Sequence, residues 1–497
     1  MSFSIKGSYF NGDFQQPATG GLNRSTQYIE KFCPASLETR LWNCLIDNQH
    51  IEAVTESATN GFIQWHKTTI EKRVQYIKAY AEQLEANRSA IAEAVSLETG
   101  RPLWDTMDEL STALQHIPLL ILLAQKKLAP NHLESVQFHP LQTQEIEGLL
   151  EYRSLGPCLI IASSCLPVLL ISNQMINALL AGNSIILKPS EKTCYTAQLL
   201  FECFHRSGLP ANVVNLIHGD HETARRLLKE KSIHGVFFTG GRDNGERIMD
   251  LAQGDLNKQL TLALGCKNLS IIHSDANSPQ VRTDLIKAAF ISSGQRCTCT
   301  SIVAIHRSIQ DEFIGQFHAL AKELVIDHPL DFEKEPFMGP VIDKASKDNY
   351  LLFIGMAKRE GMEEIMRGKE IQKKSRGHYI TPSIHFTAQF NPKSMFLTNE
   401  LYGPNCIFMS YENISDVVEL INGSPFGQTT SLYTQDRDVI QYCHQEIAIG
   451  RLNINVSTLA MTPQMPFQAV RSSANYRPAG FCTIDSFLRP FTSLKAK

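Results

Sequence analysis

Short β-rich runs alternate with helix-length segments from Leu149 onward, and this alternation constrains the fold more than any other feature of the chain. The first runs lie at 159–161, 184–187, 213–217 and 236–238, and the segments between them include 197–206 and 222–229. Short runs rich in β-branched, aromatic and other apolar residues are typical of strands. The alternation therefore predicts a doubly wound parallel sheet.

A second block of the same texture begins near Leu260. Its apolar runs lie at 269–272, 302–305, 406–409 and 431–433, with helix-length segments at 278–291, 310–324 and 414–421. We therefore expect an α/β chain with two doubly wound parallel-sheet domains. The first comprises residues 1–127 and 149–259, and the second comprises 260–456. Within the first domain, apolar residues at helical spacing predict an amphipathic helical region over about 64–110.

Two segments fit neither block, namely 143–152 and 483–494. Both are predicted to be extended arms. We assign the wider stretches 128–148 and 457–497 to bridging and oligomerisation.

Composition excludes several classes of function. The 497 residues carry a formal net charge of -3, so no dense basic surface indicates a nucleic-acid or anionic-membrane partner. The apolar runs are shorter than the ~20 residues of a membrane helix, and residues 1–19 do not resemble a signal peptide. The twelve cysteines lack paired spacing, which favours reduced thiols. We expect a cytoplasmic protein with a small-molecule ligand and without a metal.

The run Ser293-Gly-Gln-Arg-Cys297 offers a thiol on a backbone of small residues, although a lone cysteine is more often a small buried hydrophobe. Other runs decide the interpretation. They are Lys188-Pro-Ser-Glu191, Phe238-Thr-Gly-Gly-Arg-Asp-Asn-Gly245 and Glu400-Leu-Tyr-Gly-Pro404, in that order along the chain. Together with the Cys297 run, they resemble the ordered motifs of the aldehyde dehydrogenase superfamily.

The resemblance implies an aldehyde dehydrogenase fold, NAD as cofactor and Cys297 as nucleophile. It implies that Lys188 and Glu191 hold the adenosine ribose and that the segment containing Glu400 and Tyr402 holds the nicotinamide ribose. The glycine turn into a helix, which would receive the dinucleotide, comprises Gly240, Gly241, Arg242, Asp243, Asn244 and Gly245. Helix N-termini attract phosphate, and Glu191 would repel a 2′-phosphate, so NAD is expected over NADP.

Within the superfamily, Gly294-Gln-Arg-Cys-Thr-Cys299 and Ser473-Ala-Asn-Tyr-Arg-Pro478 are most similar to the N-succinylglutamate 5-semialdehyde dehydrogenases of arginine catabolism. The resemblance implies that Arg471 and Arg477 lie near the substrate entrance; the alternative left open is that both are structural. It also implies that the two arms exchange strands between subunits, giving a homodimer or a dimer of dimers.

Two family positions are substituted. The asparagine that stabilises the oxyanion is replaced by Cys165 in Ala162-Ser-Ser-Cys-Leu-Pro167, and the glutamate that activates water is replaced by Ala263 in Leu262-Ala-Leu-Gly-Cys266. Losing one oxyanion donor costs roughly 10²–10³ in rate, and losing a positioned base costs about 10²–10⁴. The Phe-Gly-Gly landmark has also become Phe467-Gln-Ala469.

These departures leave three interpretations open. The chain is a degenerate, NAD-binding scaffold; or an enzyme that passes the Cys297 thioester to a thiol such as coenzyme A; or an enzyme that oxidises succinylglutamate semialdehyde hydrolytically with substitute groups. A further hypothesis places Cys165, Cys266 and Cys297 together on the substrate tunnel, with Cys299 close by. They would form a redox pair or a soft-metal site, or would simply fill space.

Overall fold

The computed structural model describes residues 2–17, 27–133, 146–462, 464–465, 468–475 and 483–496. The helices are α1 Ile51–Trp65, α2 Ile70–Ala86, α3 Arg88–Thr99, α4 Leu103–Leu128, α5 Leu169–Leu180, α6 Cys194–Arg206, α7 His221–Lys229, α8 Arg242–Ala252, α9 Pro279–Phe290, α10 Gln310–Lys322, α11 Lys344–Arg359, α12 Met395–Thr398, α13 Ile414–Gly423 and α14 Arg437–Glu446. The strands are β1 Ser8–Phe10, β2 Asp13–Gln15, β3 Tyr28–Cys33, β4 Ser36–Leu45, β5 Asn131–Leu133, β6 Ile146–Ser154, β7 Cys158–Ile161, β8 Ile185–Lys188, β9 Val214–Leu216, β10 Gly235–Thr239, β11 Gln259–Ala263, β12 Asn268–Ile272, β13 Thr300–His306, β14 Glu363–Met366, β15 Ser383–Thr387, β16 Asn405–Tyr411, β17 Phe426–Gly427, β18 Thr429–Tyr433, β19 Arg451–Ile454, β20 Val470–Arg471 and β21 Leu488–Ala496.

The first large sheet has the strand order β11-β10-β7-β8-β9-β1-β2. Strands β7 to β11 pair in parallel, which confirms the predicted doubly wound sheet, and the antiparallel hairpin β1–β2 extends its edge. Strands β7, β8 and β9 are buried along their whole length, as strands in the middle of a parallel sheet are, and the burial includes Lys188 and Asn215. Strand β11 belongs to this sheet and therefore extends past the boundary predicted at residue 260.

The second large sheet has the order β14-β15-β16-β13-β12-β18-β19. All of its pairs are parallel except β14 with β15 at one edge. The chain therefore contains the two parallel-sheet units that the alternating pattern predicts.

The amphipathic region becomes α2, α3 and α4. Helix α2 buries Val74, Ile77, Tyr80 and Leu84 on one face, and it begins where the Thr69 hydroxyl accepts the Lys72 amide at 3.4 Å. Helix α3 ends at Gly100, whose φ of +82° favours glycine. These helices enclose the core that covers one face of the first sheet.

The predicted arms form a small third sheet of order β21-β6-β5. Strand β21 pairs antiparallel with β6 from Leu488 opposite Ser154 to Ala496 opposite Ile146. The expectation that 483–487 is extended is wrong, because Thr483–Phe487 forms a 3₁₀ turn. Residues 143–145 of the first arm lie outside the described residues.

Within the described part of the chain, every cysteine is free. No helix there is long and apolar enough to cross a membrane.

Candidate active site

A cavity of about 290 Å³ lies at the carboxyl ends of β7, β10 and β11. The second sheet's unit contributes Cys297, which lies in the loop before β13. Ligands of open α/β sheets bind at this edge of the strands. The lining residues are Ser163, Ser164, Cys165, Leu170, Asn173, Gln174, Thr239, Gly240, Gly241, Ala263, Leu264, Gly265, Cys297, Glu400, Tyr402 and Gln428.

The loop that carries Cys297 is held in an unusual backbone conformation. Ser292, Ser293 and Gly294 have φ values of 54°, 57° and 71°. A Cβ on Gly294 would lie 2.2 Å from the carbonyl oxygen of Gly403, so this position requires glycine. The Ser292 hydroxyl donates to Asp105 at 2.7 Å and the Ser293 hydroxyl donates to the Gly339 carbonyl at 2.8 Å. These contacts hold the loop against α4 on one side and against the segment that contains Gly339 on the other.

A buried network of charges connects the two thiol-bearing loops. Arg101 pairs with Asp105 at 2.8 Å and also with Glu109, while Arg296 pairs with Asp105. Glu109 accepts the backbone amides of Val168 and Leu169 at 2.7 and 2.9 Å, just after the Cys165 loop. Although burial alone would raise the pKa of Asp105, the two guanidinium groups hold it well below its ordinary value.

Cys165 and Cys297 lie side by side, and their thiols share a hydrogen bond. This contact, together with the Tyr402 hydroxyl, lowers the pKa of Cys165 to about 6. The contact with Cys165 and burial raise the pKa of Cys297 well above its usual range. A coupled pair of this kind loses its first proton easily and its second with difficulty. The two opposite shifts therefore favour a state in which one sulfur is a thiolate and the other keeps its proton.

Cys266 does not line the cavity with them, contrary to the expectation that all three thiols converge on a tunnel. Its thiol lies against the carbonyl oxygen of Cys297, on the far side of the loop. The Asn268 amide donates to that same carbonyl at 2.7 Å and to the carbonyl of Cys299 at 3.0 Å. Cys266 and Asn268 therefore support the loop from behind. Among the described residues, the active-site thiols also do not form a group of three or more close metal-ligand atoms.

Ala263 lines the same cavity as Cys297. Its methyl group brings no proton-accepting atom to the cavity. The carboxylate that the cavity does contain is Glu400. Its Oε1 accepts the Cys266 amide at 3.2 Å, and Gly265 makes room for it, because a Cβ there would lie 2.1 Å from Oε2. Burial raises the pKa of Glu400 to about 7.

The predicted cofactor residues outside the cavity fall into two groups. Lys188 ends β8, and its buried ammonium lies 2.5 Å from the half-exposed carboxylate of Glu191. Gly241 is the N-cap residue of α8 and has no side chain that could accept a hydrogen bond from the first amides of the helix. In the first turn of α8, the side chains of Arg242, Asp243 and Asn244 are exposed. Gly245 is a packing position, because a Cβ there would lie 2.4 Å from a methyl carbon of Leu264.

The sequence profile of the Aldehyde dehydrogenase family matches residues 22–492. The chain belongs to the aldehyde dehydrogenase family. It is 29% identical to an N-succinylglutamate 5-semialdehyde dehydrogenase of Legionella pneumophila (strain Corby) over 99% of this chain and 95% of that protein. Two solved structures share the fold. A betaine aldehyde dehydrogenase from Staphylococcus aureus gives a TM-score of 0.89 at 22% identity, covering 99% of this chain and 95% of that one. A Thermus 1-pyrroline-5-carboxylate dehydrogenase with bound NAD gives 0.88 at 20% identity, covering 99% and 93%.

The family motifs pointed to Cys165, Ala263 and Cys297, and the fold brings these three residues to one cavity. The motifs did not point to three carboxamide side chains that also line it, namely Asn173, Gln174 and Gln428. Within the described residues, Asn173 Oδ1 and Gln428 Oε1 are buried without a hydrogen-bond partner. Such acceptors are suited to a donor on a ligand. No motif marks these residues, because two belong to the buried helix α5 and the third precedes β18.

Of the two arginines predicted near the substrate entrance, the structure describes Arg471. It donates to the Asn422 carbonyl at 2.5 Å and does not line the cavity. Arg477 and Phe467 lie outside the described residues.

Proposed function

We propose that this aldehyde dehydrogenase family member oxidises an aldehyde with NAD through a thioester on Cys297 and releases the acid slowly. The observation that carries the proposal is the meeting of Cys297, the Gly240–Gly241 turn and Glu400 at one cavity. The substrate we propose is succinylglutamate semialdehyde, after the name of the relative that aligns over 99% of this chain.

The residues present fit the cofactor. An uncapped helix N-terminus at α8 suits a pyrophosphate, and the Lys188–Glu191 pair offers both a donor and an acceptor to ribose hydroxyls. The unpartnered oxygens of Asn173 and Gln428 suit the amide donors of a carboxamide. When bound, NAD supplies the hydride acceptor for the oxidation.

Acylation requires a thiolate, and the Cys165–Cys297 pair supplies one. Attack by the Cys297 sulfur on the carbonyl carbon forms a C–S bond, and loss of hydride from that carbon leaves a thioester. For this, the proton shared by the two thiols must reside on Cys165 when Cys297 attacks. A thiol is a weaker donor than an amide, so Cys165 stabilises the oxyanion less than the family asparagine would.

Deacylation is the step that the substitutions impair. Hydrolysis requires a base that removes a proton from water, and the methyl group of Ala263 cannot do so. Among the described residues that line the cavity, Glu400 is the only carboxylate, and its pKa of about 7 suits a general base at neutral pH. Residual hydrolysis therefore depends on Glu400.

A second acceptor is favoured by the same substitution. A thiol such as that of coenzyme A loses its own proton far more readily than water does, so it needs no glutamate at position 263. Its sulfur would attack the thioester carbonyl, the bond to Cys297 would break, and the Cys297 sulfur would leave as a thiolate.

A single-turnover experiment tests the proposal. Enzyme in excess over succinylglutamate semialdehyde is mixed with NAD, with and without coenzyme A, and NADH is followed by absorbance. We expect a burst close to one NADH per substrate in both mixtures, which Cys297→Ser abolishes. With substrate in excess, turnover after the burst should be slow, and faster turnover with coenzyme A identifies a thiol acceptor. No NADH in any mixture, despite NAD binding, would contradict an enzyme and favour a binding protein.

A further inference from the structure

A second group of soft side chains lies away from the active site. Among the described residues, Cys44, Cys194 and His218 are the one group of three or more cysteine, histidine or acidic side chains whose ligand atoms all lie within 4.8 Å of one another. Cys44 lies near the end of β4, Cys194 begins α6 and His218 follows β9. Their exposed fractions are 2%, 1% and 0%. Three separate segments thus bring two thiols and an imidazole to one closed point.

The imidazole of His218 is unusual within this group. Both of its ring nitrogens are buried and lack a hydrogen-bond partner in the described part of the chain. An imidazole normally uses one nitrogen as donor and the other as acceptor, and leaving buried polar groups unpaired costs about 1–3 kcal/mol each. The Cys194 thiol lies within hydrogen-bonding range of the Cys44 thiol and of the His218 ring. The two thiols otherwise make only long contacts with backbone carbonyls, 3.6 Å from Cys44 to Leu45 and 3.7 Å from Cys194 to Ser190. The three side chains therefore direct their ligand atoms at one another and at a common centre.

We propose that Cys44, Cys194 and His218 bind one zinc ion. Thiolate and imidazole are the ligands that Zn²⁺ prefers, whereas Mg²⁺ and Ca²⁺ require oxygen. Binding breaks the two S–H bonds and releases two protons, so two thiolates and a neutral imidazole balance the charge of Zn²⁺. Net neutrality suits a buried point, because an uncompensated charge there would carry a large desolvation cost. Cu⁺ on the same ligands would leave a net charge of -1.

Tetrahedral zinc needs a fourth ligand. Thr193 directly precedes Cys194, and its hydroxyl is buried without a hydrogen-bond partner among the described residues, although it occupies the N-cap position of α6. This hydroxyl is the protein oxygen that we assign to the fourth position, and Thr193→Val tests the assignment separately from the site itself.

Zinc at this point would connect three parts of the first domain. Cys194 lies three residues after Glu191 of the predicted ribose-binding pair, and His218 lies two residues after the strand β9 that pairs with β8. Cys44 belongs to the β3–β4 hairpin, which is not part of the first large sheet. The ion would fix this hairpin to the cofactor-binding edge, and its role would be structural.

Metal content is the first test. Protein without a histidine tag is produced in zinc-supplemented medium, purified with a phosphine reductant and measured by inductively coupled plasma mass spectrometry. We expect about one zinc per chain, lost in His218→Leu and Cys194→Ala. Cys203→Ala is the matched control, because Cys203 is a buried cysteine of the same helix outside the group, and it should keep zinc. Cys297→Ala should also keep it, which separates this site from the active-site thiols.

Thermal unfolding is the second test, and it needs no activity. Removal of zinc with a chelator should lower the midpoint of the wild-type protein and leave His218→Leu unchanged. Without a metal, His218→Leu would instead raise the midpoint, because it removes two unpaired nitrogens from the core. Less than a tenth of an equivalent of zinc, no response to added zinc and a stabilised His218→Leu would together overturn the proposal.

Discussion

Cys297 has a partner in Cys165, and both line the cavity together with Ala263. We propose that Cys165 and Ala263 replace the oxyanion asparagine and the general-base glutamate of the family. This correspondence comes from the sequence, because part of each motif is kept around the substituted position. What the sequence could not provide was the hydrogen bond between the two thiols or the raised pKa of Glu400, which it predicted only as a cofactor contact. Those features depend on loops that lie far apart along the chain.

Restoring both family residues should restore hydrolysis. Ala263→Glu with Cys165→Asn should increase the steady-state rate of NADH formation at least 10²-fold, since each change returns a group that contributes about 10²-fold or more. Ala263→Gln with Cys165→Asn is the matched control, because glutamine has the same length without a base. Equal rates for the two double variants would place the defect elsewhere.

Glu400 should set the pH dependence of the residual turnover. Because only its ionised form accepts a proton and its pKa is about 7, the rate should increase as the pH rises through 7. Glu400→Gln should remove this dependence and most of the slow turnover, while the burst persists at saturating NAD. The measurement is the steady-state rate between pH of about 5.5 and about 8.5, which covers the range in which a group with a pKa of about 7 titrates. An unchanged profile in the variant would exclude Glu400 as the base.

At the scale of elements, the alternation predicted β7 to β10 of the first sheet and β12, β13, β16 and β18 of the second, and it missed β15 and the N-terminal hairpins. Strands β7, β8 and β9 could be recognised because they are mostly apolar and are buried along their whole length. Strands β1 and β2 have three residues each, and β2 is mostly exposed or half-buried, so neither gives a clear pattern. The turn at Thr483–Phe487 was missed because a single 3₁₀ turn leaves no periodic signal.

The contact between α3 and α6 provides a test of stability. Glu98 of α3 accepts the Trp42 indole at 2.7 Å and the amides of Tyr195 and Thr196 at 3.0 and 2.9 Å, and burial raises its pKa to about 7. The folded protein holds the proton of Glu98 more tightly than the unfolded chain does. The contribution of this proton to the free energy of unfolding is therefore complete below pH of about 4.5 and is lost as the pH rises through about 7. The loss is on the order of 3 kcal/mol.

Glu98→Gln should therefore reduce the fall in the free energy of unfolding across this window. The glutamine side chain does not titrate in this range, so it removes the pH dependence. Its single oxygen accepts only one of the two backbone N–H groups, which Glu98 receives on different oxygens, so the pH slope and not the stability itself is compared. Urea unfolding at pH 4.5, 6 and 7.5, values chosen roughly around the two pKa values, measures the difference. A slope identical to that of the wild type would show that Glu98 does not titrate there.

The end of β8 should determine the choice of cofactor. Lys188→Ala should weaken NAD binding, and Glu191→Gln should reduce the preference for NAD over NADP, because it removes the charge that repels a 2′-phosphate. Titration calorimetry with both dinucleotides measures these changes. Absence of NAD binding by the wild type at millimolar concentration would overturn the cofactor assignment.

At the scale of the whole molecule, the small sheet β21-β6-β5 lies apart from both large sheets. Light scattering should give the mass of a homodimer or a dimer of dimers. Truncation before Leu488, which removes β21, should shift the mass towards the monomer, whereas a monomeric wild type would contradict the predicted role of the arms. The domain boundaries and a cytoplasmic location stay predictions of the sequence.

Accumulation of the acyl-enzyme tests most directly whether Cys297 is acylated quickly and the thioester is hydrolysed slowly. The protein is mixed with NAD and succinylglutamate semialdehyde, quenched in acid and weighed intact by mass spectrometry. We predict an adduct of one succinylglutamyl group on most chains, absent in Cys297→Ser and much reduced in Ala263→Glu with Cys165→Asn. NADH formation at an ordinary enzymatic rate with no adduct on the wild-type chain would contradict this account.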